Sequence, residues 1–527
     1  MREILKMSAK NQFPASAPVQ DRNRLICILL SVFGWGLLAH GYAFSNLTLS
    51  HDSLNEFYIH GAIAYAEGSV FRWKITLGRF AEPIYQMIFR GDFASPWLAG
   101  ALSLIWLALA VYLVSKVFLL SNVLTLIVIS GFFTVNLTVT AMTATFINDI
   151  DADMFAVFLA AGAAFLWNRG GKISWLSIPL IVCVLGIYQC LVSVTVTLMI
   201  LLCIMRLIQG EKVRNVLVKG LKAIGLLLLS GIIYFLFVQL SCRLFHVSLE
   251  DGYDGLSVLW TDNGSTFLPL LIGAYAVVGN TLLFQPTISY QPLMISAHLI
   301  LLFIVFVSLI KIIKSYDIKT PARILILLLL VVLPLGMNLS YVLDRGMVHH
   351  LMMYAFWLFY LVVILLLHEL PHDQVIWRHI RAASLALIVM ITWSGVQTAN
   401  AAYVKKDMER QSTLSTMTRV TQALEETDGY LAGHTPVAFI DSPLSDVPAA
   451  FVKLRAITGI RHASQISGSN YYANYYDYIL QQPMNALNRA QCQELAQDPA
   501  VEAMPFFPEE GSMIWIGDTL VIKMGYE

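Results

Sequence analysis

Long apolar segments separated by short polar ones occupy most of the chain before residue 400. A helix needs roughly twenty apolar residues to cross a bilayer, and about eleven segments approach or reach that length. These segments are 25–44, 97–119, 123–142, 154–167, 173–188, 191–205, 221–240, 297–313, 324–342, 350–367 and 382–397. The pattern therefore predicts an all-α polytopic membrane domain with about eleven transmembrane helices.

Lysine and arginine gather in alternate loops between these segments. The basic loops are 22–24, 169–172, 206–222, 311–323 and 378–381. Because positively charged loops stay in the cytoplasm, the opposite loops and everything after residue 399 should lie outside it. We expect a cytoplasmic segment 1–24, a transmembrane domain 25–399 and an outer domain 400–527.

One further apolar segment, 267–284, does not fit this alternation. Counting it as a span would reverse the side of every later basic loop. Gly273, Gly279 and Asn280, with prolines at both ends, suit a broken helix. We therefore expect a re-entrant segment or one that lies at the outer membrane interface.

Polar residues return after the last predicted span. Segment 401–427 has a helical pattern, 437–440 and 514–516 have the pattern of short strands, and 472–497 predicts one or two helices. The outer domain should therefore be a small α/β domain.

Composition agrees with a membrane protein and excludes some partners. Hydrophobic residues make up 57% of the chain and charged residues 13%, which is more apolar surface than a soluble fold of this length can bury. The 34 basic residues balance 34 acidic ones, so no positive excess indicates nucleic-acid binding.

The first outer loop begins with a carboxylate at the membrane surface. Asp52 follows the first span almost directly, within a His-Asp-Ser-Leu-Asn-Glu segment that ends at Glu56. A lipid headgroup would arrive at that depth, so Asp52 is a candidate for chemistry on a lipid-linked substrate.

Basic residues follow in the same loop among aromatic ones. Arg72, Lys74 and Arg79 can offer cations to a phosphate, while the aromatics anchor the loop at the interface. The alternative is an amphipathic surface helix with snorkelling basic side chains. We favour that alternative for Lys74 and Arg90, and a phosphate contact for Arg79.

The second outer loop carries three acids within five residues. Asp149, Asp151 and Asp153 lie between two apolar segments, where charges are costly. Their repulsion favours a proton acceptor or a bound cation. The alternative is capping of the next helix, which Asp153 fits best, so Asp149 and Asp151 remain the functional candidates.

Two later segments also carry candidates. Arg345 lies in a short loop that keeps it near the headgroup plane, although a surface pair with Asp344 is the alternative. The neighbouring His349 and His350 are adjacent in sequence and therefore poor joint ligands, so we expect no metal site from them.

A tyrosine-rich segment lies in the outer domain. Five tyrosines fall within 471–478, including Tyr472 and Tyr475. Tyrosine rings can stack on sugar rings, or alternate tyrosines can build the domain core, and both interpretations stay open.

These features together resemble the GT-C class of membrane glycosyltransferases, and most closely the phage-type, serotype-converting O-antigen glucosyltransferases. The resemblance is carried by short segments spread over most of the chain. They are His51-Asp52-Ser53, the acidic segment 148–153, Asp344-Arg345 and the helical segment 401–418.

The resemblance implies a bacterial inner-membrane enzyme with a periplasmic C-terminal domain. It would move a sugar, usually glucose, from a polyprenyl-phosphate carrier to a hydroxyl of O-antigen by inverting displacement. Asp52 would be the base, with Asp149 or Asp151 next. Donor phosphate contacts would come from Arg72, Arg79 and Arg345, and acceptor contacts from Glu56, Tyr472 and Tyr475. The chemistry requires no cofactor, and dependence on a divalent metal stays open.

Three other functions are weighed against this one. A transporter or flippase of a lipid-linked sugar has ionisable residues near the bilayer midplane, whereas the acids here gather in outer loops. An O-antigen polymerase or ligase would carry a long basic outer loop, which the sequence lacks. A protein mannosyltransferase or a lipid A aminoarabinosyltransferase shares the class, and the sequence separates it poorly.

Overall fold

A computed structural model of the protein describes residues 18–55, 70–91, 95–250, 267–344, 346–371, 374–443, 449–460 and 464–525. Glu56 and Arg345, two of the predicted site residues, lie outside these ranges. The described chain is mostly helical, with a small sheet near the C-terminus.

Each predicted span contains helical structure. The helices before the sheet are α1 (Pro18–Ser45), α2 (His51–Asn55), α3 (Val70–Thr76), α4 (Ala81–Phe89), α5 (Pro96–Val117), α6 (Val123–Thr134), α7 (Leu137–Thr145), α8 (Ile150–Arg169), α9 (Ser177–Ile187), α10 (Val192–Ile208), α11 (Val213–Phe245), α12 (Phe267–Phe284), α13 (Gln291–Ser315), α14 (Thr320–Met337), α15 (Leu339–Leu343), α16 (Phe359–His368) and α17 (Val375–Glu425).

Length and composition divide the predicted spans into three groups. In the described part of the chain, 8 helices are long and apolar enough to cross a membrane. A further predicted span is the pair α6 and α7, which is bent by 41° after Thr134. The two remaining predicted spans, at α9 and α16, are shorter apolar helices. The fold is therefore a helical membrane domain with about eight clear spans.

Contacts group the four later basic loops at one end of the bundle. Gln209 donates to Glu369 at 3.0 Å, Lys222 donates to Ser174 at 2.6 Å, and the hydroxyl of Tyr316 donates to the carbonyl of Glu369. The loops predicted to lie opposite them also contact one another. Asn148 donates to the carbonyl of Ser53 at 3.0 Å. This second group of loops forms what we call the outer end of the bundle.

Helix α12 is continuous, so the prediction that glycines and Asn280 would interrupt it is wrong. Both ends of α12 lie beside residues of neighbouring elements that are near the outer end of the bundle. The side chain of Leu270 approaches Gly346, and Thr287, just after the helix, hydrogen-bonds Ser394 and Thr398 at 3.0 Å. These contacts agree with a segment that does not cross the bundle.

Helix α17 joins the bundle to the C-terminal domain without a break. Its 51 residues include the last predicted span and the predicted helix 401–427 as far as Glu425. Lys405, Lys406 and Glu409 form a buried ion-pair group in its second half. Lys405 also donates to the carbonyl of Ile460 at 2.6 Å, which ties the C-terminal domain to the helix.

The C-terminal domain contains a four-stranded sheet. The strands β1 (Pro436–Ile440), β2 (Asn485–Ala486), β3 (Met513–Ile516) and β4 (Thr519–Lys523) have the order β2-β1-β4-β3. Strand β1 is parallel to both neighbours, and β3 is antiparallel to β4. The helices of this domain are α18 (Tyr472–Tyr475), α19 (Arg489–Leu495) and α20 (Pro499–Glu502). The predicted strands at β1 and β3 are confirmed, while β2 and β4 were not predicted.

Candidate functional site

Helices α3 and α4 form a hairpin that turns its charged side chains inward. Ile84, Met87 and Ile88 on α4 are exposed, and Ile88 keeps 69% of its surface. Glu82 and Gln86 on the same helix are buried. A soluble helix shows the opposite arrangement, whereas an element in contact with lipid directs its ionisable groups to the protein interior. The turn of the hairpin is fixed by Gln189 and Tyr234, which donate to the carbonyls of Leu77 and Gly78.

Lys74 of α3 is the centre of a buried ionic network. Its ammonium lies 2.5 Å from a carboxylate oxygen of Asp149 and 2.8 Å from one of Glu82. Gln86 donates to the other Asp149 oxygen at 2.9 Å. Burial alone would raise the pKa of Asp149, but the Lys74 charge and the hydrogen bonds around the carboxylate lower it below its ordinary value. Asp149 is therefore held as a carboxylate.

A second buried pair lies beside this network. Arg90, at the end of α4, is 3.4 Å from Asp151, and both side chains have 0% exposure. The prediction that Lys74 and Arg90 snorkel on a surface helix is therefore wrong. Both side chains point into the protein because Asp149 and Asp151, at the start of α8, supply the opposite charges.

Arg79 lies at the edge of the network rather than in a full ion pair. Its guanidinium lies over the ring of Tyr188 at 4.5 Å and is 4.0 Å from Glu82. The side chain keeps 19% of its surface exposed. Of the cations in this hairpin, Arg79 is thus better placed than Lys74 to meet an incoming phosphate. Arg72, on the same helix as Lys74, donates to the carbonyl of His246 at 3.2 Å.

Asp52 has different surroundings from the buried acids. It lies on the short helix α2, where its side chain is 35% exposed and 3.4 Å from Nε2 of His51. Ser50 and Ser53 both donate to the carbonyl of Thr145, which fixes α2 on the end of α7. This packing leaves Asp52 accessible to a substrate.

The segments that carry Asp52 and Asp149 are in direct contact. The hydrogen bond from Asn148 to the Ser53 carbonyl joins the neighbours of both acids. The structure thus brings the first and second outer loops together. The predicted acceptor tyrosines are placed differently: Tyr472 and Tyr475 have 0% exposure, and Tyr472 stacks on Phe439 at 4.1 Å. The core alternative therefore describes these two side chains.

Sequence reasoning missed Glu82 and Gln86 as members of the network. A signal was present, because positions 82, 86 and 90 repeat at four-residue intervals and share one helix face, while apolar residues fill the other. Within the described ranges, no group of three or more His, Cys, Asp and Glu side chains has an arrangement that could hold a metal ion.

Comparisons with known proteins give one match. The model of a family described as Glucosyl transferase GtrII matches residues 41–368, which is more than half of the chain and includes both outer loops described above. No curated protein and no solved structure matches the chain.

Proposed function

The chain belongs to the GtrII glucosyl transferase family, and from this premise we propose that it moves glucose from a polyprenyl-phosphate carrier to a hydroxyl of O-antigen polysaccharide. The enzyme is a membrane glycosyltransferase by family and by its apolar helices. We propose in addition that the carrier is a polyprenyl phosphate, that the acceptor is O-antigen, and that transfer takes place at the periplasmic face of the inner membrane.

One observation carries the assignment of the base. Asp52 is a solvent-accessible carboxylate at the outer end of the bundle, whereas Asp149 and Asp151 are enclosed by cations. A general base must reach the acceptor hydroxyl, which the fully buried Asp151 cannot do, and a carboxylate held beside an ammonium, as Asp149 is, is a poor proton acceptor. We therefore assign proton abstraction to Asp52 and an electrostatic and positioning role to Asp149 and Asp151.

The proposed reaction is a single displacement. The acceptor oxygen attacks the anomeric carbon of glucose, and the bond between that carbon and the phosphate oxygen breaks. The hydroxyl proton passes to Asp52, and the polyprenyl phosphate leaves with the bonding electron pair. Attack from the face opposite the phosphate inverts the anomeric centre.

The leaving phosphate needs cationic neighbours because negative charge grows on it in the transition state. Arg79 is our first choice among the described residues, since it is partly exposed and lies over Tyr188. Arg72 and Arg345 remain further candidates for this contact. The step needs no metal ion for an ionised phosphate to leave, and a metal requirement can be tested with a chelator.

The test is direct transfer by the purified protein. Incubation with polyprenyl-phosphate-glucose and lipid-linked O-antigen should yield an acceptor heavier by one hexose, measured by mass spectrometry. Consumption of the donor without a heavier acceptor would contradict the proposal. Transmembrane movement of the donor in vesicles, with no sugar attached to acceptor, would favour a flippase instead.

A further inference from the structure

A cavity of about 580 Å³ opens at one end of the C-terminal sheet, and the residues of the buried ionic network do not line it. Asp441 and Ser442 contribute from the end of β1, and Gly525 follows the end of β4. The segment that includes Ser467, Asn470 and Tyr471 forms another wall. Its volume lies within the range that holds small ligands, about 300 to 1,000 Å³.

The topology of the sheet places this cavity at a switch point. Strand β1 lies between its parallel neighbours β2 and β4, so the chain continues to β2 on one side and later returns on the other as β4. Open sheets of this kind bind ligands outside the carboxyl ends of the strands at such a point. A second cavity, of about 700 Å³, lies at the amino ends beside Pro436 and Thr519, where this rule predicts no ligand.

The walls of the cavity suit a sugar. Hydroxyl and amide side chains from Ser442, Ser467, Asn470 and Gln493 can donate to and accept from sugar hydroxyls. Tyr471 and Phe506 add aromatic surface, on which the apolar face of a sugar ring can stack. The charged residues Asp441 and Arg489 have opposite signs, so the cavity is not a dedicated anion site.

Tyr471 connects the cavity with the proposed base. Its ring contacts the ring of His51 edge to face at 5.3 Å, and His51 is 3.4 Å from Asp52. Burial and the charge of Asp52 both raise the pKa of Tyr471. A saccharide that fills the cavity would therefore end within reach of Asp52.

We infer that this cavity is the acceptor subsite, which binds a saccharide segment of the acceptor polysaccharide and presents its hydroxyl to Asp52. The inference rests on the proposed function. It assigns the acceptor contacts to residues that line an open cavity instead of the buried Tyr472 and Tyr475.

Two matched glutamines provide the test. Gln493 lines this cavity and Gln497 lines the one at the opposite end of the strands, and both are exposed. Gln493→Ala should raise the acceptor KM about tenfold, since lost hydrogen bonds of this kind weaken binding by that order, and leave the donor KM unchanged. Asn470→Ala should act in the same way, and Gln497→Ala should match the unmodified protein.

Binding without donor separates this inference from the proposed function. Delipidated O-antigen polysaccharide, titrated calorimetrically into the full-length protein, should bind more weakly to Gln493→Ala and to Asn470→Ala than to Gln497→Ala. Such a result supports the subsite even if no hexose is transferred. The inference is overturned if both cavity variants transfer normally with unchanged acceptor KM and unchanged binding. It is also overturned if inorganic phosphate displaces the polysaccharide.

Discussion

The carboxylates at the outer end of the bundle differ in the side chains that surround them. Asp149 and Asp151 are enclosed by Lys74 and Arg90, whereas Asp52 has a histidine neighbour and open surface. Removing charge from the first group changes the balance of a buried network, which is a matter of stability. Removing charge from Asp52 acts instead at a partly exposed site beside His51, on the side chain that we propose as the proton acceptor.

Asp52→Asn should lower hexose transfer at least about a hundredfold, because loss of a general base costs that much or more. The thermal unfolding midpoint in detergent should stay unchanged, since the side chain is partly exposed. Asp428→Asn, an exposed change in the C-terminal domain, is the matched control and should transfer at the normal rate. Full transfer by the Asp52 variant would remove it as the base.

Lys74→Met should be more damaging to folding than Asp149→Asn. The lysine change removes the ammonium that contacts two buried carboxylates, Asp149 and Glu82, and breaking such a buried pair costs about 3–5 kcal/mol. The aspartate change leaves Lys74 paired with Glu82. Unfolding midpoints of both variants, measured in the same detergent, provide the test. A more stable Lys74 variant would contradict the idea that this network holds the hairpin in place.

At the scale of elements, close packing fixes the C-terminal domain against the bundle. Gly459 has φ +79°, and a Cβ added there would overlap the Thr145 hydroxyl at the end of α7. Gly517, in the turn between β3 and β4, has φ +59° with no atom within 4 Å of an added Cβ. The two glycines share the left-handed backbone and differ in the neighbouring contact.

Gly459→Ala should therefore loosen the docked domain far more than Gly517→Ala. Both changes carry the backbone cost of a positive φ, which is about 1 kcal/mol, and only the first adds a clash. Limited proteolysis after α17 should release the C-terminal domain from the Gly459 variant more quickly. Equal rates for the two variants would show that contact with Thr145 does not hold the domain.

His350 should make this docking sensitive to acid. Its Nδ1 accepts a hydrogen bond from the Thr458 amide at 3.3 Å, and burial followed by the charge of His349 lowers its pKa to about 4. In the unfolded chain the pKa of His350 is near 6.5, so the unfolded state binds the proton first as the pH falls. The contribution of His350 to the free energy of unfolding is therefore complete above about pH 6.5 and falls as the pH drops toward 4. The unfolding midpoint should fall less with acid in His350→Asn, whose amide oxygen can still accept; an identical fall would contradict the assignment.

The elements show which features the sequence could reveal. Apolar segments and alternating basic loops were enough to locate the helices, because lipid imposes length and hydrophobicity on each segment separately. The inward faces of α3 and α4 depend on partners at the start of α8, about seventy residues away, which no local pattern contains. Strand β2, two residues long, is likewise defined only by its pairing with β1.

At the scale of the whole molecule, two bodies meet at the outer end of the bundle. The membrane domain supplies Asp52 and the ionic network, and the C-terminal domain supplies Tyr471 beside His51. Gln465 of the C-terminal domain also donates to the carbonyl of Leu49 at 2.8 Å. In the proposed reaction, a lipid-linked donor would approach Asp52 from the bilayer and a polysaccharide acceptor would approach it from solvent.

This arrangement requires that α12 does not cross the membrane, which reporter fusions can test. Alkaline phosphatase is active only outside the cytoplasm. Fusions after residues 249, 287 and 427 should therefore be active, and a fusion after residue 316 should be inactive. The fusion after 287 decides the matter, because a crossing α12 would place it in the cytoplasm. An inactive fusion after 287 would show that the first outer loop and the C-terminal domain lie on opposite sides of the membrane. The contact between Tyr471 and His51 could not then exist.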